Sequence, residues 1–183
     1  MLRETLLSAK IIDKGEYKYI FHPISDGIPR LSPALLKEVV DDLYKIIEWK
    51  NANVIITPEA MGIPVATGLS LKSNLPLTIV RKREYGLKGE IQIIQKTGYG
   101  GSKFFLNGIL PEDKVVVVDC IVSTGDTLVG IINAIKNIGS EIIDVACVYG
   151  KQGSRQRVFE KIGVNVKTLL DVNVDSNGNV VEI

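Results

Sequence analysis

Residues 115–127 read Val-Val-Val-Val-Asp-Cys-Ile-Val-Ser-Thr-Gly-Asp-Thr, and they decide how the rest of the chain is interpreted. Four consecutive β-branched residues predict a buried strand over 115–119, and the apolar segment 127–138 predicts a helix directly after the turn. The first amides of such a helix have no partner within it and carry the positive end of its dipole, which suits a phosphate group. Asp119, where the strand ends, suits hydroxyl groups or a hydrated divalent metal. A sugar phosphate would supply both, although helix capping alone also explains a short polar turn.

Strands and helices alternate on both sides of this stretch. Ser32 followed by Pro33 predicts a capped start for an amphipathic helix over 33–49. After it, we predict strand 54–57, helix 62–72, strand 77–81, a hairpin of 90–95 with 103–106, strand 115–119, helix 127–138, strand 142–149, helix 154–162 and strand 166–172. This order predicts an α/β fold, a mainly parallel sheet with helices on both faces.

Charged, glycine and hydroxyl residues follow four of the predicted strands, in segments 59–62, 81–84, 119–127 and 150–151. In α/β sheets, ligands bind beyond the carboxyl ends of the strands, so these four segments predict one shared site. Neither a Gly-x-x-x-x-Gly-Lys-Ser/Thr loop nor a Gly-x-Gly-x-x-Gly fingerprint occurs in the chain.

Composition narrows the class of protein further. The length of 183 residues suits one domain, and a net charge of +1 argues against a general binder of nucleic acid or anionic membranes. No apolar run approaches the roughly 20 residues that span a bilayer, and the first residues lack the features of a signal peptide. Cys120, Cys147 and the single His22 form neither a zinc motif nor a disulfide framework. We therefore expect reduced, buried thiols and a cytoplasmic protein.

Several segments of the chain resemble those of a known family. The segment 115–127 is similar to the phosphoribosyl pyrophosphate signature of type I phosphoribosyltransferases. The segments Glu59-Ala60-Met61-Gly62, Arg81-Lys82-Arg83-Glu84-Tyr85, Thr97-Gly98-Tyr99 and His22–Gly27 resemble its archaeal hypoxanthine/guanine branch, related to the adenine enzymes. The likeness covers most of residues 1–172.

The resemblance implies a single phosphoribosyltransferase domain over 1–183. Within it, residues 1–30 would form a hood over the base, here called the N-terminal arm, although an edge strand packed on the core explains the same aromatic stretch. The glycine-rich region 84–106 would be a flexible loop that closes over the site, with an ordinary exposed hairpin as the alternative. The turn residues 175–179 predict a C-terminal hairpin extension over 173–183, at a possible subunit contact.

The implied activity is purine salvage, in which hypoxanthine or guanine displaces pyrophosphate from phosphoribosyl pyrophosphate to give IMP or GMP, with Mg²⁺ as cofactor. Asp119 would hold the ribose hydroxyls and the metal, with Glu84 and Tyr99 as further catalytic residues from the loop. The expected phosphate-binding residues are Ser123, Thr124, Gly125, Asp126 and Thr127. The expected pyrophosphate-binding residues are Glu59, Ala60, Met61, Gly62, Arg81 and Lys82. The expected base-binding residues are Lys151 and Val122. Relatives are usually homodimers, and we expect the same here.

Three positions depart from the family pattern. Cys120 replaces the usual second acid, and a thiol is a poor ligand for a hard metal, so ribose or magnesium binding would be weaker. Ser123 stands where many 6-oxopurine enzymes have an aspartate, which leaves no obvious general base. Asp126 stands where glycine is frequent, and its carboxylate suits the first turn of a helix.

Other functions remain open at this stage. A donor at Lys151 favours 6-oxopurines over adenine, whose amino group is itself a donor. An adenine phosphoribosyltransferase of the same fold is one alternative, and a weakly active nucleotide- or phosphoribosyl pyrophosphate-binding regulator is another. Arg81, Lys82 and Lys151 could also be ordinary solvated surface charges without a role in binding.

Overall fold

The structure is a computed structural model that describes residues 1–13, 15, 17–95 and 102–183. In chain order the elements are α1 (Leu2–Leu7), β1 (Lys10–Asp13), β2 (Lys18–Phe21), α2 (Pro23–Asp26), α3 (Pro33–Ile46), β3 (Val54–Pro58), α4 (Gly62–Ser73), β4 (Leu77–Val80), β5 (Ile91–Gln95), β6 (Ser102–Leu106), β7 (Lys114–Val122), α5 (Asp126–Ile138), β8 (Glu141–Lys151), α6 (Ser154–Ile162), β9 (Lys167–Val174) and β10 (Val180–Glu182).

The central sheet has six strands in the order β10-β9-β8-β7-β3-β4. The five strands from β9 to β4 run parallel, and β10 pairs antiparallel with β9. Its layers follow from the four-valine run in β7, where all four side chains are fully buried. Val116 and Val118 pack into the apolar cluster shared with α3 and α4, whereas Val115 and Val117 pack into the cluster shared with α5. Both faces are therefore covered, and the α/β prediction is confirmed.

Most predicted boundaries agree with the structure within a few residues. Helix α3 begins as predicted, since the Ser32 hydroxyl accepts from the Leu35 amide at 3.2 Å and Pro33 follows it. The helix ends at Ile46 instead of residue 49, because Ile47 is extended and buried. Strand β7 runs to Val122, three residues past the predicted end, because its last residues pair with β8 at Tyr149 and Gly150.

The N-terminal arm forms its own structure. Strands β1 and β2 make a separate two-stranded antiparallel sheet, so the arm adds no edge strand to the central sheet. The short helix α1 was not predicted; its Leu2 and Leu6 are buried in the cluster that includes α3. A six-residue helix has too few turns for a periodic signal, and tertiary packing stabilises it.

Both predicted hairpins are present. Strands β5 and β6 pair antiparallel over residues 91–95 and 102–106. Strands β9 and β10 are joined by a turn in which the Asp175 carboxylate accepts from the amides of Asn177 and Asn179. Among the helices of the described ranges, none has the length and apolar character to cross a lipid bilayer.

Candidate active site

The turn over residues 123–127 leads from β7 into α5 and leaves the helix N-terminus open. Gly125 has φ = 86° and is the residue before the helix, with no side-chain cap. The first helical hydrogen bond runs from the Val129 amide to the Gly125 carbonyl at 2.9 Å, so the amides of residues 126–128 precede it. The Thr124 hydroxyl lies 3.4 Å from the Asp126 amide, a weak contact. The turn therefore keeps amides available for an anion, and capping alone does not account for it.

Gly125 is required by its surroundings as well as by its φ angle. A Cβ atom at this position would come within 2.4 Å of Cγ2 of Val158. Real Cβ atoms do not approach another atom so closely, so a side chain at residue 125 would clash. The clash arises because Val158 of helix α6 packs directly beneath the turn. The glycine in the Thr-Gly-x-Thr sequence thus has a packing reason in addition to a conformational one.

Asp119 is half-buried and opens on a small cavity of about 170 Å³ that the 123–127 turn also lines. Burial raises the pKa of its carboxyl group to about 7, and the hydrogen bond from the Cys120 amide (2.7 Å) opposes that rise. Within the described part of the chain, no basic side chain forms an ion pair with Asp119. The site therefore holds a carboxylate whose charge a cation or hydroxyl donors would stabilise.

The 59–62 loop lies against Asp119. A Cβ atom on Gly62 would come 2.1 Å from Oγ1 of Thr57 and 3.1 Å from Oδ1 of Asp119, so only glycine allows this approach. The Thr57 hydroxyl is buried and has no hydrogen-bond partner among the residues that the structure describes. The Glu59–Ala60 peptide bond is cis. Helix α4 starts at Gly62, so a second helix N-terminus faces the same carboxylate.

Of the two predicted cations near this loop, Arg81 is the one in contact with it. Its Nε lies 2.7 Å from Oε2 of Glu59, and its backbone pairs with Phe105. Lys82 is exposed and lies 6.0 Å from the centre of the Phe104 ring. The end of β4 and the 59–62 loop are thus brought together, with Lys82 at the periphery.

A larger cavity of about 480 Å³ adjoins the small one, and both are lined by Ser123 and Thr124. Lys151, at the end of β8, donates from Nζ to the Lys18 carbonyl at 2.8 Å and lies 3.8 Å from the centre of the Tyr17 ring. The Tyr17 hydroxyl lies 2.9 Å from Oγ of Ser123. The two cavities therefore meet at the start of the 123–127 turn.

The predicted residues differ in where they lie. Lys151 lines the larger cavity, whereas Val122 is buried in the core and lines only the smaller one. Cys120 is buried, its pKa is raised by burial, and it lines neither cavity, so it is a neutral core thiol. Glu84 is exposed beyond β4, and Tyr99 lies outside the described residues.

Some residues at the site carried no separate prediction. Lys18, Arg157 and Asn173 line the larger cavity. Glu90 accepts hydrogen bonds from the amides of Tyr85 and Gly86, and so organises the segment before β5. A residue pattern could not reveal Lys18, Arg157 and Asn173, because each reaches the cavity only when distant segments of the chain fold together.

The N-terminal arm is fixed over the site by buried polar contacts. His22 accepts from the Ile24 amide at Nδ1 (3.2 Å), so Nε2 carries the proton and donates to the Thr5 hydroxyl (3.0 Å). Burial lowers the pKa of His22 to about 4. The Tyr149 hydroxyl, from the central sheet, donates to Ser25 at 3.1 Å. The first two contacts lie within the arm, and the Tyr149 contact joins it to the central sheet.

Comparison with known proteins agrees with this geometry. Residues 32–181 match the phosphoribosyl transferase domain. The chain is 46% identical over 181 residues to the hypoxanthine/guanine phosphoribosyltransferase of Methanotorris igneus, covering 99% of this chain and 98% of that protein. It is 47% identical over 174 residues to the enzyme of the same name from Methanocaldococcus jannaschii, covering 95% of each.

Solved structures share the fold at low sequence identity. The adenine phosphoribosyltransferase of Thermoanaerobacter pseudethanolicus has a TM-score of 0.78 at 18% identity, covering 93% of this chain and 99% of that one. The adenine phosphoribosyltransferase of Rhodothermus marinus has a TM-score of 0.74 at 22% identity, covering 92% and 97%. Since the domain match spans most of the chain and close relatives cover nearly all of it, the chain belongs to the phosphoribosyltransferase family.

Proposed function

We propose that this phosphoribosyltransferase salvages purines by transferring the 5-phosphoribosyl group of phosphoribosyl pyrophosphate to hypoxanthine or guanine. The observation that carries the proposal is the pair of joined cavities. One combines an open helix N-terminus with Asp119, and the other contains the Lys151 ammonium group. The names of the relatives at 46–47% identity support the same substrates.

In this proposal the 123–127 turn binds the 5′-phosphate. The amides of residues 126–128 point from the helix N-terminus, and the hydroxyls of Ser123, Thr124 and Thr127 add donors. Asp126 pairs with Lys161 at 2.6 Å, so its carboxylate is neutralised beside the incoming phosphate.

The N-terminus of α4 would bind the pyrophosphate through the amides of Ala60, Met61 and Gly62. Glu59 fixes Arg81 beside this loop, and the guanidinium still has donors left for the leaving group. Lys82 is exposed near the same edge and would add positive charge. These groups would stabilise charge as the bond to the sugar breaks.

Asp119 would accept hydrogen bonds from the ribose hydroxyls and stabilise positive charge that builds on the ring. The reaction needs no protein nucleophile, because the purine nitrogen attacks the anomeric carbon as pyrophosphate departs. The protein instead holds the two substrates in line, which is where most of its rate enhancement would arise.

Mg²⁺ fits the donor set around Asp119. The carboxylate has no basic partner in the described chain, and the buried Thr57 hydroxyl close to Gly62 lacks a hydrogen bond. Among the described residues no cluster of three ligating side chains exists. That donor set suits Mg²⁺, which keeps several waters and is commonly held by one or two carboxylates together with substrate phosphates. When bound, it would neutralise charge on the pyrophosphate.

The base would occupy the larger cavity. Lys151 would donate to the exocyclic oxygen of a 6-oxopurine, and an adenine amino group in the same place would meet another donor. Tyr17 lies against Lys151 and would cover the bound base. Val122, beneath the turn, would contact the sugar side of the base.

Loop and assembly complete the proposal. The region 84–106, with Glu84 and Tyr99, would close over the reacting centre and exclude water that would otherwise capture the ribosyl group.

We also propose a homodimer, to be checked by light scattering, and a cytoplasmic location. Two free buried thiols, Cys120 and Cys147, are in keeping with that location.

The test is an assay of pyrophosphate release with a panel of bases. We expect release that requires Mg²⁺, phosphoribosyl pyrophosphate and hypoxanthine or guanine together. Turnover with adenine alone would assign the chain to the adenine enzymes, and nucleotide binding without turnover would indicate a regulator. Either result would overturn the proposal.

A further inference from the structure

Arg157 lies between the two parts of the site. Its Nη2 donates to the Ser123 carbonyl at 2.8 Å, and its Nη1 lies 3.4 Å from the Gln152 carbonyl. Ser123 begins the 123–127 turn, and Gln152 follows Lys151 at the end of β8. One guanidinium group therefore contacts the backbone of both cavities, and it lines the larger one.

Helix α6 is built to hold Arg157 there. Gly153 has φ = 71°, and a Cβ atom on it would come 2.9 Å from Nη1 of Arg157, so the glycine leaves room for the guanidinium. The next residue, Val158, fills the space beneath Gly125. One turn further on, Lys161 pairs with Asp126 of the same turn at 2.6 Å. Three neighbouring positions of one helix thus contact the 123–127 turn.

The charge of Arg157 is available to the site. Across the described ranges, no carboxylate lies within ion-pair distance of its guanidinium, and its partners are backbone carbonyls. A planar guanidinium can bond two carbonyls in fixed directions, whereas a lysine ammonium has no such fork. Geometry as well as charge therefore distinguishes arginine at this position.

We propose that Arg157 is a positioning residue that fixes the separation between the 123–127 turn and the base cavity. This inference rests on the proposed function and goes beyond it by naming what sets the spacing of the two subsites. A ligand that spans both cavities, such as GMP, needs them in register. A ligand that fills only one, such as inorganic phosphate, does not.

The difference between these ligands gives the experiment. Calorimetric titration of GMP and of inorganic phosphate would compare the wild type with Arg157→Gln, Arg157→Lys and Arg155→Gln. We expect Arg157→Gln to weaken GMP binding about tenfold, the effect of one charge-assisted hydrogen bond, and phosphate binding less than about threefold. Arg157→Lys keeps the charge but not the forked geometry. It should therefore weaken GMP binding by at least about threefold, which is half of the Arg157→Gln effect on a logarithmic scale. Arg155→Gln makes the same change on the same helix, at an arginine that pairs with Asp171 and lines neither cavity of the site, and should leave both affinities within about twofold.

Kinetics supply a second readout. In Arg157→Gln kcat should fall about tenfold, with the KM for phosphoribosyl pyrophosphate within about threefold, because each subsite remains intact but the two substrates are no longer held in line. A thermal midpoint within about 3 °C of wild type would exclude general loss of structure.

Several outcomes would overturn the inference. Equal weakening of GMP and phosphate would make Arg157 only a source of charge for the phosphate. Full rescue by Arg157→Lys would also show that only the charge matters, and an Arg157→Gln protein that behaves like Arg155→Gln would remove any role for Arg157. A wild type that binds GMP but makes no nucleotide refutes the proposed function, and the comparison of GMP with phosphate still decides the role of Arg157. Failure of the wild type to bind GMP would refute both.

Discussion

Replacing Asp119 with asparagine should stabilise the Mg²⁺-free protein while removing its activity. The carboxyl group has a pKa of about 7 in the fold, against its ordinary value of 3.8, because burial penalises its charged form. A group whose pKa is raised by folding stabilises the fold fully at pH values below its pKa in the unfolded chain. This stabilisation is lost as the pH rises through its pKa in the folded protein. Above pH 7, ionised Asp119 therefore lowers the free energy of unfolding, and an uncharged side chain of the same shape does not.

The size of the effect follows from the pKa. A change from 3.8 to about 7 corresponds to about 4 kcal/mol as an upper bound. Because the side chain opens on a cavity, solvent screens part of this, and we expect Asp119→Asn to gain about 1–2 kcal/mol at pH 8. For a chain of this length that is a rise of about 2–8 °C in the thermal midpoint. At pH 5 the folded carboxyl group is mostly protonated, so the gain should fall below half.

The assay is thermal unfolding at pH 5 and pH 8 in the presence of a chelator, together with steady-state kinetics. Asp126→Asn is the matched control, because Lys161 lowers the pKa of Asp126 and the same substitution should there lower the midpoint slightly. Turnover of Asp119→Asn should fall at least about 100-fold, the effect of losing about 3 kcal/mol of transition-state stabilisation. A midpoint at pH 8 equal to or below wild type would refute the reasoning about burial, and unchanged turnover would remove Asp119 from the mechanism.

Three further predictions concern the turn, the base cavity and the N-terminal arm. Gly125→Ala should lose about 2–4 kcal/mol of unfolding free energy in urea titrations, through its positive φ and the clash with Val158, whereas Gly163→Ala, at φ = 68° with open space around it, should lose only about 1 kcal/mol; equal losses would contradict the packing argument. Lys151→Met should lower kcat/KM for hypoxanthine by about 30-fold with the KM for phosphoribosyl pyrophosphate within twofold, and an unchanged base preference would show that the lysine does not contact the base. Burial lowers the pKa of His22 to about 4, so its stability contribution is complete above pH 6.5 and is lost as pH falls towards 4; His22→Asn should therefore flatten the decline in unfolding free energy between pH 6.5 and 4, and an unchanged slope would mean that His22 does not titrate on folding.

The sheet and the edge that carries the candidate site were predictable from the sequence because they depend on local patterns. The valine run of β7, the capped start of α3 at Ser32 and the alternation of strands with helices all indicate their structures within short windows. The Thr-Gly-x-Thr turn likewise predicted an open helix N-terminus, and the structure has one at Gly125.

The remaining features depend on contacts between segments far apart in the chain. Helix α1 is too short to show a period, and Arg157 acquires its position only when α6 packs beneath a turn that precedes it by more than 30 residues. Cys120 is a similar case. In the sequence it occupies the position of a metal-ligating acid, but the structure buries its thiol, which lines neither cavity. An aspartate there would be buried without a partner, so we expect Cys120→Asp to destabilise the protein.

A crystal structure of the protein with GMP would show directly where the nucleotide binds. We expect the 5′-phosphate on the amides of residues 126–128, the ribose hydroxyls at Asp119 and the base oxygen at Lys151. A nucleotide bound elsewhere, with the amides of the 123–127 turn left in solvent, would contradict this expectation.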